Sequence, residues 1–243
     1  MMLLIDGDHV LYSACAAVER EVRWDAENHV LFSNAEEAWA CFERMIDQRM
    51  ETLGGLEVTL CFSGPNVFRH TIYPGYKAGR SRKPLCYRAL LDKAFAKYSC
   101  KREDTLEADD LMGILATQGH YDPCIIVSDD KDLKTIPGQL YRLGELATIS
   151  PEDADMKWAM QTLTGDVTDG YPGLPKMGEV TAAKFLGGVW KGSFESVWPD
   201  IVQLYAAKGF DEEYALTMAR LARILRHGDY DYKTKEVKLW TMS

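Results

Sequence analysis

Apolar residues fall in two rhythms along this 243-residue chain. Short unbroken apolar runs at 2–5, 57–62 and 124–128, with a weaker one at 139–143, predict buried β-strands. Elsewhere apolar positions recur at three- and four-residue spacing, near 9–20, 34–53, 84–98, 107–118, 151–164, 179–187, 195–208 and 211–226, and predict helices. The alternation over the first 145 residues predicts an α/β fold with a mostly parallel central sheet flanked by helices. Beyond about residue 150 strand signals stop, apart from a short one near the C-terminus. An α/β domain over 1–150 is therefore expected to carry a packed helical subdomain over 151–243, with no Gly/Ser-rich linker between them.

One stretch has neither rhythm. Residues 64–84 are interrupted by Gly64, Pro65, Pro74, Gly75, Gly79 and Pro84, which predicts a long functional loop. Six cysteines show no C-x-x-C spacing and mostly lie in apolar runs, as free thiols of a reducing compartment do. No apolar run approaches the roughly 20 residues of a membrane span. The first run is broken at Asp6 and reads as a strand rather than a leader. A cytoplasmic location is expected, with no membrane partner. The five histidines, His9, His29, His70, His120 and His227, are scattered, and P-loop, G-x-S-x-G and H-E-x-x-H motifs are missing.

Net charge is −9, which on its own argues against a nucleic-acid partner. Its distribution reverses that inference. Residues 69–102 hold ten Lys/Arg (Arg69, Lys77, Arg80, Arg82, Lys83, Arg88, Lys93, Lys97, Lys101 and Arg102) against Asp92 alone. Residues 103–132 hold nine Asp/Glu, Asp122 among them, against Lys131 alone. Two solvated faces that pair with each other would also give this pattern, so the positions of the carboxylates carry more weight.

Asp6 and Asp8 follow the first strand, and Asp129, Asp130 and Asp132 follow the third. These are the C-terminal strand ends where parallel sheets place their sites. Glu107-Ala108-Asp109-Asp110 opens a helix, with Glu107 and Asp110 on one edge of the apolar stripe and Asp109 on the other. A helix N-terminus favours each anion by only about 0.3–1 kcal/mol, too little to gather several carboxylates. A counter-ion is required, and hard oxygen donors suit Mg²⁺ or Mn²⁺. Asp166 and Asp169, in Gly165-Asp166-Val167-Thr168-Asp169-Gly170, would supply a second ion. Paired divalent ions beside a cationic loop suit phosphodiester hydrolysis. Phe68, Tyr73, Tyr76 and Tyr87 are interleaved with the cations as candidate base-stacking groups, Tyr87 being better explained as core.

The motifs Leu4-Ile5-Asp6-Gly7, Phe68-Arg69-His70, Tyr73-Pro74-Gly75-Tyr76-Lys77-Ala78-Gly79-Arg80, Glu107-Ala108-Asp109-Asp110, Ser128-Asp129-Asp130-Lys131-Asp132-Leu133 and Gly165-Asp166 through Asp169-Gly170-Tyr171-Pro172-Gly173-Leu174-Pro175-Lys176-Met177-Gly178 together resemble the 5′→3′ exonuclease/flap endonuclease family. That family includes the 5′-nuclease domains of bacterial DNA polymerase I and the stand-alone exonucleases of lytic phages, and the likeness is to the phage form. The resemblance implies a first metal held, directly or through water, by Asp6, Glu107, Asp109, Asp110 and Asp130, and a second by Asp132, Asp166 and Asp169. It implies that Lys77 and Arg80 contact the scissile phosphate at the base of an arch-like basic loop spanning 64–102, with Tyr76 at its entrance. Arg69, Arg82 and Lys83 would contact the DNA backbone. Residues 170–187 resemble a helix–turn–helix variant that grips duplex DNA through Gly173, Lys176 and Gly178, with K⁺ at the hairpin.

Two features depart from the family pattern. Phe62-Ser63-Gly64 has a serine where many members have an aspartate, which predicts a second ion held more weakly or through water. Asp8 and Asp129 are carboxylates that the pattern does not require: Asp8 reads as an outer neighbour of the site and Asp129 as a solvated turn residue. The expected function is a Mg²⁺- or Mn²⁺-dependent 5′→3′ exonuclease with flap endonuclease activity on DNA, extending to RNA–DNA hybrids and RNA primers, alongside replication proteins. Asp6, Asp130, Lys77 and Arg80 are the expected catalytic residues. A ribonuclease with a related acidic site, and a DNA-binding protein without catalysis, are the alternatives.

Overall fold

The computed structural model describes the whole chain except residues 1, 26, 55–56, 120–123 and 243, so the expectations for His120 and Asp122 lie outside the described residues. The chain opens with β1 (Met2–Asp6) and α1 (Gly7–Val18), then a hairpin of β2 (Arg20–Arg23) and β3 (His29–Phe32). Next come α2 (Ala35–Leu53), β4 (Glu57–Phe62), the short α3 (Arg69–Ile72), α4 (Tyr87–Lys97), β5 (Ser99–Arg102), α5 (Ala108–Ala116) and β6 (Cys124–Val127). A 3₁₀ turn (Asp132–Thr135) leads to β7 (Gly138–Arg142) and β8 (Glu145–Ile149). The rest is helical, with α6 (Pro151–Thr164), α7 (Glu179–Val189), α8 (Phe194–Ala206) and α9 (Glu212–Ala222), closed by the small pair β9 (Tyr230–Asp231) and β10 (Glu236–Val237).

Six strands form one sheet in the order β5-β4-β1-β6-β7-β8, parallel except for β8. Leu3, Leu4 and Ile5 of β1 are all fully buried, as a central strand covered on both faces requires. Leu3 and Ile5 point into a core built with α1, α2 and α4, including Val10, Phe42, Ile46 and Leu90. Leu4 points the other way, into a core with Leu111, Met112 and Ile114 of α5 and with Ile224 and Leu225 near the C-terminus. The C-terminal helices bury a third core around Trp158, Phe194, Trp198 and Tyr205.

Pairing explains the elements that periodicity did not predict. Ser99-Cys100-Lys101-Arg102 has almost no apolar signal, yet it pairs in register with Thr59–Phe62 as an edge strand. The expected basic loop over 64–102 is therefore shorter than its sequence span. Residues 87–102 form α4 and β5, so Arg88, Lys93, Lys97, Lys101 and Arg102 lie on regular elements. Within 64–84, α3 forms one turn, and Gly64, Asn66 and Phe68 donate backbone hydrogen bonds to the carbonyls of Leu106, Asp104 and Thr105.

The helix expected over 211–226 stops at Ala222, and Arg69 is the reason. Its guanidinium is 2% exposed. It donates to both carboxylate oxygens of Asp110 (2.6 and 2.8 Å), to Glu107 Oε2 (2.8 Å) and to the carbonyls of Leu221 (3.3 Å) and Arg223 (2.6 Å). Asp110 Oδ1 in turn accepts the Leu225 N–H (3.1 Å). Extended backbone after Ala222 is what presents that carbonyl and that N–H. One buried cation thus joins α3, the start of α5 and the C-terminal segment.

Removing one partner of a buried, fully hydrogen-bonded ion pair costs about 3–5 kcal/mol, whereas removing both is much cheaper. Arg69→Leu is expected to lose stability in that range by urea unfolding, and Arg69→Leu with Asp110→Leu to recover part of it. A loss below about 1 kcal/mol for the single variant would show that Arg69 does not hold the fold together.

Candidate active site

The parallel register brings Asp6, Ser63 and the Ser128–Asp130 segment to the same edge of the sheet, at the ends of β1, β4 and β6. Asp6 also caps α1. Its Oδ1 accepts the His9 N–H (2.9 Å) and its Oδ2 the Ser128 hydroxyl (2.9 Å). Burial raises its pKa to about 6, against these hydrogen bonds and with Asp8 adding repulsion. Asp130 Oδ1 accepts the Asp132 N–H (2.8 Å), and its own N–H is donated to Ser128 Oγ (3.2 Å).

A cavity of about 380 Å³ opens at this edge. Asp6, Asp8, Glu107, Asp109 and Asp130 line it together with Lys77, Arg80 and Lys83. The helix start at 107–110 sorts its carboxylates by face, as its spacing predicts. Asp109 faces the cavity and receives no hydrogen bond among the described residues. Burial, then Asp6 and Asp130, push its carboxyl well above the usual range. Asp109 also borders a small void shared with Asp132 and Asp169, which links the two acidic groups.

Glu107 is held by cations instead. Lys77 Nζ lies 2.5 Å from its Oε1, and Arg69 and the Tyr76 hydroxyl donate to its Oε2 (2.8 Å each). Burial works to raise the Glu107 pKa, but Lys77 and then Arg69 outweigh it and hold the value at about 2. Lys77 takes a left-handed backbone (φ 53°), and its N–H donates to the Asp169 carbonyl (2.7 Å), which ties this turn to the 165–170 loop. Its ammonium also reaches Asp169 Oδ2 (3.3 Å).

Asp132, Asp166 and Asp169 form the second acidic group. Burial, Asp130 and Asp166 raise Asp132 to about 6, and its Oδ1 accepts the Gln161 amide (2.6 Å). Asp166 Oδ1 accepts the N–H groups of Thr168 and Asp169, while its Oδ2 pairs with Lys131 (2.9 Å). Arg80 Nη2 lies 3.4 Å from Asp169 Oδ1 and is largely exposed.

Several residues sit differently from their sequence-based expectation. Arg69 is buried against carboxylates and carbonyls and presents nothing to a DNA backbone. Asp110 is fully buried with both oxygens engaged by Arg69, so it holds Arg69 rather than a metal. Tyr76 is 2% exposed, its ring packed near Tyr171 and His70 and its hydroxyl shared between Glu107 and Asp169, so it orients carboxylates and offers no stacking face. Arg82 pairs with Glu19 at the end of α1, which anchors the loop there. Gly173 is buried, and a Cβ there would fall 2.2 Å from Gly165 N, so its need is internal packing rather than phosphate approach. Gly178 has open space around it and caps α7, and Lys176 is exposed with a left-handed backbone.

The two departures from the family pattern are connected. Ser63 Oγ accepts the Ala108 N–H (3.0 Å) and so serves the start of α5. Its own N–H is donated to Asp8 Oδ2 (2.8 Å), and Asp8 Oδ1 accepts the Tyr87 hydroxyl. Asp8 thereby brings a carboxylate beside the serine and fastens the start of α4 to the site. Asp129 Oδ1 accepts the Leu143 N–H (2.9 Å) and so pins the β7–β8 turn. His9 and Tyr12 also line the cavity, and the sequence reading gave them no role. Their three-residue spacing after Asp6, on one face of α1, is the signal that points to them.

The residues fit divalent ions. All donors are hard oxygens, and Asp109 is a half-buried carboxylate without a hydrogen-bond partner among the described residues, whose charge a bound cation would relieve. No three acidic, thiol or imidazole groups among the described residues already converge on one point. Among the described residues, no helix is long and apolar enough to cross a membrane.

Known proteins resemble this chain over most of its length. Residues 1–158 match the model of the 5′-3′ exonuclease N-terminal resolvase-like domain. The exodeoxyribonuclease of Enterobacteria phage T3 is 31% identical, over 99% of this chain and 92% of its own length. The exonuclease of Escherichia phage T7 is 31% identical, over 98% and 93%. DNA polymerase I of Lactococcus lactis subsp. lactis is 28% identical over 92% of this chain but only 28% of its own length. Among solved structures, the T5 D15 protein co-crystallised with metal ions shares the fold with a TM-score of 0.64, at 15% identity, covering 91% of this chain and 88% of that one. The catalytic core of Rad2 in complex with DNA substrate superposes with a TM-score of 0.52 at 15% identity, covering 94% and 73%. A chain with this fold, this acidic edge and these relatives belongs to the 5′–3′ exonuclease family.

Proposed function

We propose that this chain is a divalent-metal-dependent 5′→3′ exonuclease on DNA, with endonuclease activity at 5′ flaps and the capacity to remove RNA primers from RNA–DNA hybrids. The observation that carries this reading is the cavity that Asp6, Asp109 and Asp130 line together with Lys77, Arg80 and Lys83. The name of the phage T3 relative, an exodeoxyribonuclease, supports DNA as substrate, and the T5 protein was crystallised with DNA and metal ions. The setting is the cytoplasm of a phage host, beside replication proteins.

Asp6, Asp109 and Asp130, with Glu107 at their side, would hold one Mg²⁺ or Mn²⁺, and Asp132, Asp166 and Asp169 a second. Bound there, the ions would activate water and stabilise the leaving oxygen. This chain's own residues do the rest. Lys77 and Arg80 place positive charge where phosphate oxygens gain negative charge during attack. Tyr76 and Lys77 hold Glu107 and Asp169 in place between the two groups. Exposed Lys83 extends the cationic wall toward the strand that enters. The 170–187 segment, with Lys176 and Gly178 exposed, would grip duplex phosphates with K⁺ as its ion.

Asp130→Ala is expected to lose cleavage of a 5′-labelled flap and of a blunt duplex in Mg²⁺ while still binding DNA. Full cleavage by a rigorously purified variant would sink the assignment, and single-stranded RNA in the same assay separates a ribonuclease. Lys77→Ala is expected to lower kcat more than it raises KM, because it acts on charge that develops in the transition state. A change in KM alone would make Lys77 an ordinary phosphate contact.

Raised folded-state pKa values mean that the native protein binds extra protons at Asp6, Asp109 and Asp132. For Asp6 and Asp132 this contribution favours folding at low pH and is lost as pH rises from about 4 through about 6, and Asp109 acts in the same direction. A shift of two units corresponds to roughly 3 kcal/mol. Added Mn²⁺ should raise Tm more at pH 7.5 than at pH 5, and Asp109→Asn should raise the metal-free Tm at pH 7.5 while shrinking the Mn²⁺ effect. A Mn²⁺ shift of equal size at both pH values would count against these carboxylates as the ligands.

A further inference from the structure

Lys131 is the single cation in the acidic segment 103–132, and it stands between Asp130 and Asp132. Its ammonium lies 2.9 Å from Asp166 Oδ2. The Asp166 side chain is 4% exposed and that of Lys131 is 54% exposed, so the lysine reaches down from solvent onto a sunken carboxylate. Asp166 Oδ1 is already engaged by the N–H groups of Thr168 (2.7 Å) and Asp169 (3.1 Å). Among the described residues, Oδ2 accepts from Lys131 alone. The oxygen with which Asp166 would meet a metal ion is thus the one that Lys131 occupies. Lys77 differs: it is 10% exposed and bound to Glu107 and Asp169 together, so it is built into the wall.

We propose that Lys131 is an exchangeable counter-cation of the Asp132–Asp166–Asp169 group, which a divalent ion must displace to bind there. It lowers the affinity of this group relative to that of Asp6, Asp109 and Asp130. Once displaced, its ammonium swings into solvent and pairs with a phosphate of the substrate strand. Occupancy of the second position and capture of the polyanion are thereby coupled through one side chain. This rests on the two-ion reading above and goes beyond it in naming what competes for the second position.

Titration calorimetry of the full chain with Mn²⁺, without DNA, tests the displacement. Lys131→Ala and Lys131→Gln are each expected to tighten the weaker binding step about fivefold, the size of a partly exposed ion pair, and to leave the tighter step unchanged. Lys131→Arg restores the pair and should behave as the natural protein. A merely structural role would not strengthen metal binding. A weaker step that is unchanged or weakened in both neutral variants overturns the proposal. Asp109→Asn serves as control and should lose the tighter step. If the natural protein binds no Mn²⁺, and Asp109→Asn matches it, the metal reading itself has failed and the proposal fails with it.

The second arm measures the salt dependence of single-stranded DNA binding. With Mn²⁺ present, Lys131→Ala should lower the slope of log K against log salt by about 0.7, the value of one phosphate contact. Without Mn²⁺ the slope should not change. An equal drop in both conditions would mean that Lys131 contacts phosphate regardless of metal, and would overturn the exchange.

Discussion

A guanidinium buried beside two carboxylates is the constraint around which this molecule is arranged. Arg69 comes from α3, Glu107 and Asp110 from the start of α5, and the Leu221 and Arg223 carbonyls from the end of α9. Each group is costly to bury alone, and together they satisfy one another. The arrangement fixes where α9 must end and how the helical part sits on the sheet. It also places Asp109 on the opposite side of α5, toward the cavity.

The same logic of compensation runs through the site. Acidic side chains converge at one sheet edge because parallel strands end there, and each is balanced by a different means. Asp110 and Glu107 are neutralised from inside by Arg69 and Lys77. Asp6 is stabilised by hydrogen bonds from His9 and Ser128, yet burial still raises its pKa to about 6. Asp166 is covered by Lys131. Asp109 is left without a partner among the described residues, and it is the residue for which a metal offers most. The site is thus graded, from permanently paired carboxylates to an open one.

Ser63 shows how a local change is absorbed. A serine at the end of β4 cannot donate an anion, but its hydroxyl accepts an α5 N–H while its own N–H holds Asp8. Asp8 in turn takes the Tyr87 hydroxyl, so the start of α4 is tied to the N-terminal end of α1. The carboxylate count at this edge is kept, and the loop between α3 and α4 gains an anchor.

Much was legible before the fold was seen. The core strands β1, β4 and β6 and most helices follow from local apolar periodicity, which reports burial directly. The acidic cluster was legible because its residues sit at strand ends and a helix start, positions that sequence marks. The short edge strand β5 and the hairpin β2–β3 were not, since hydrogen-bond partners distant in the chain define them. Charge sign told even less about role. Arg69 and Arg80 look alike in sequence, as do Asp109 and Asp110, yet within each pair one side chain is buried in a network and the other faces the cavity. Sequence alone determined which charges this protein gathers at one edge. Only the tertiary structure decided which of them are spent on each other and which are left for a ligand, because burial and partner geometry, not residue type, set the cost of a charge.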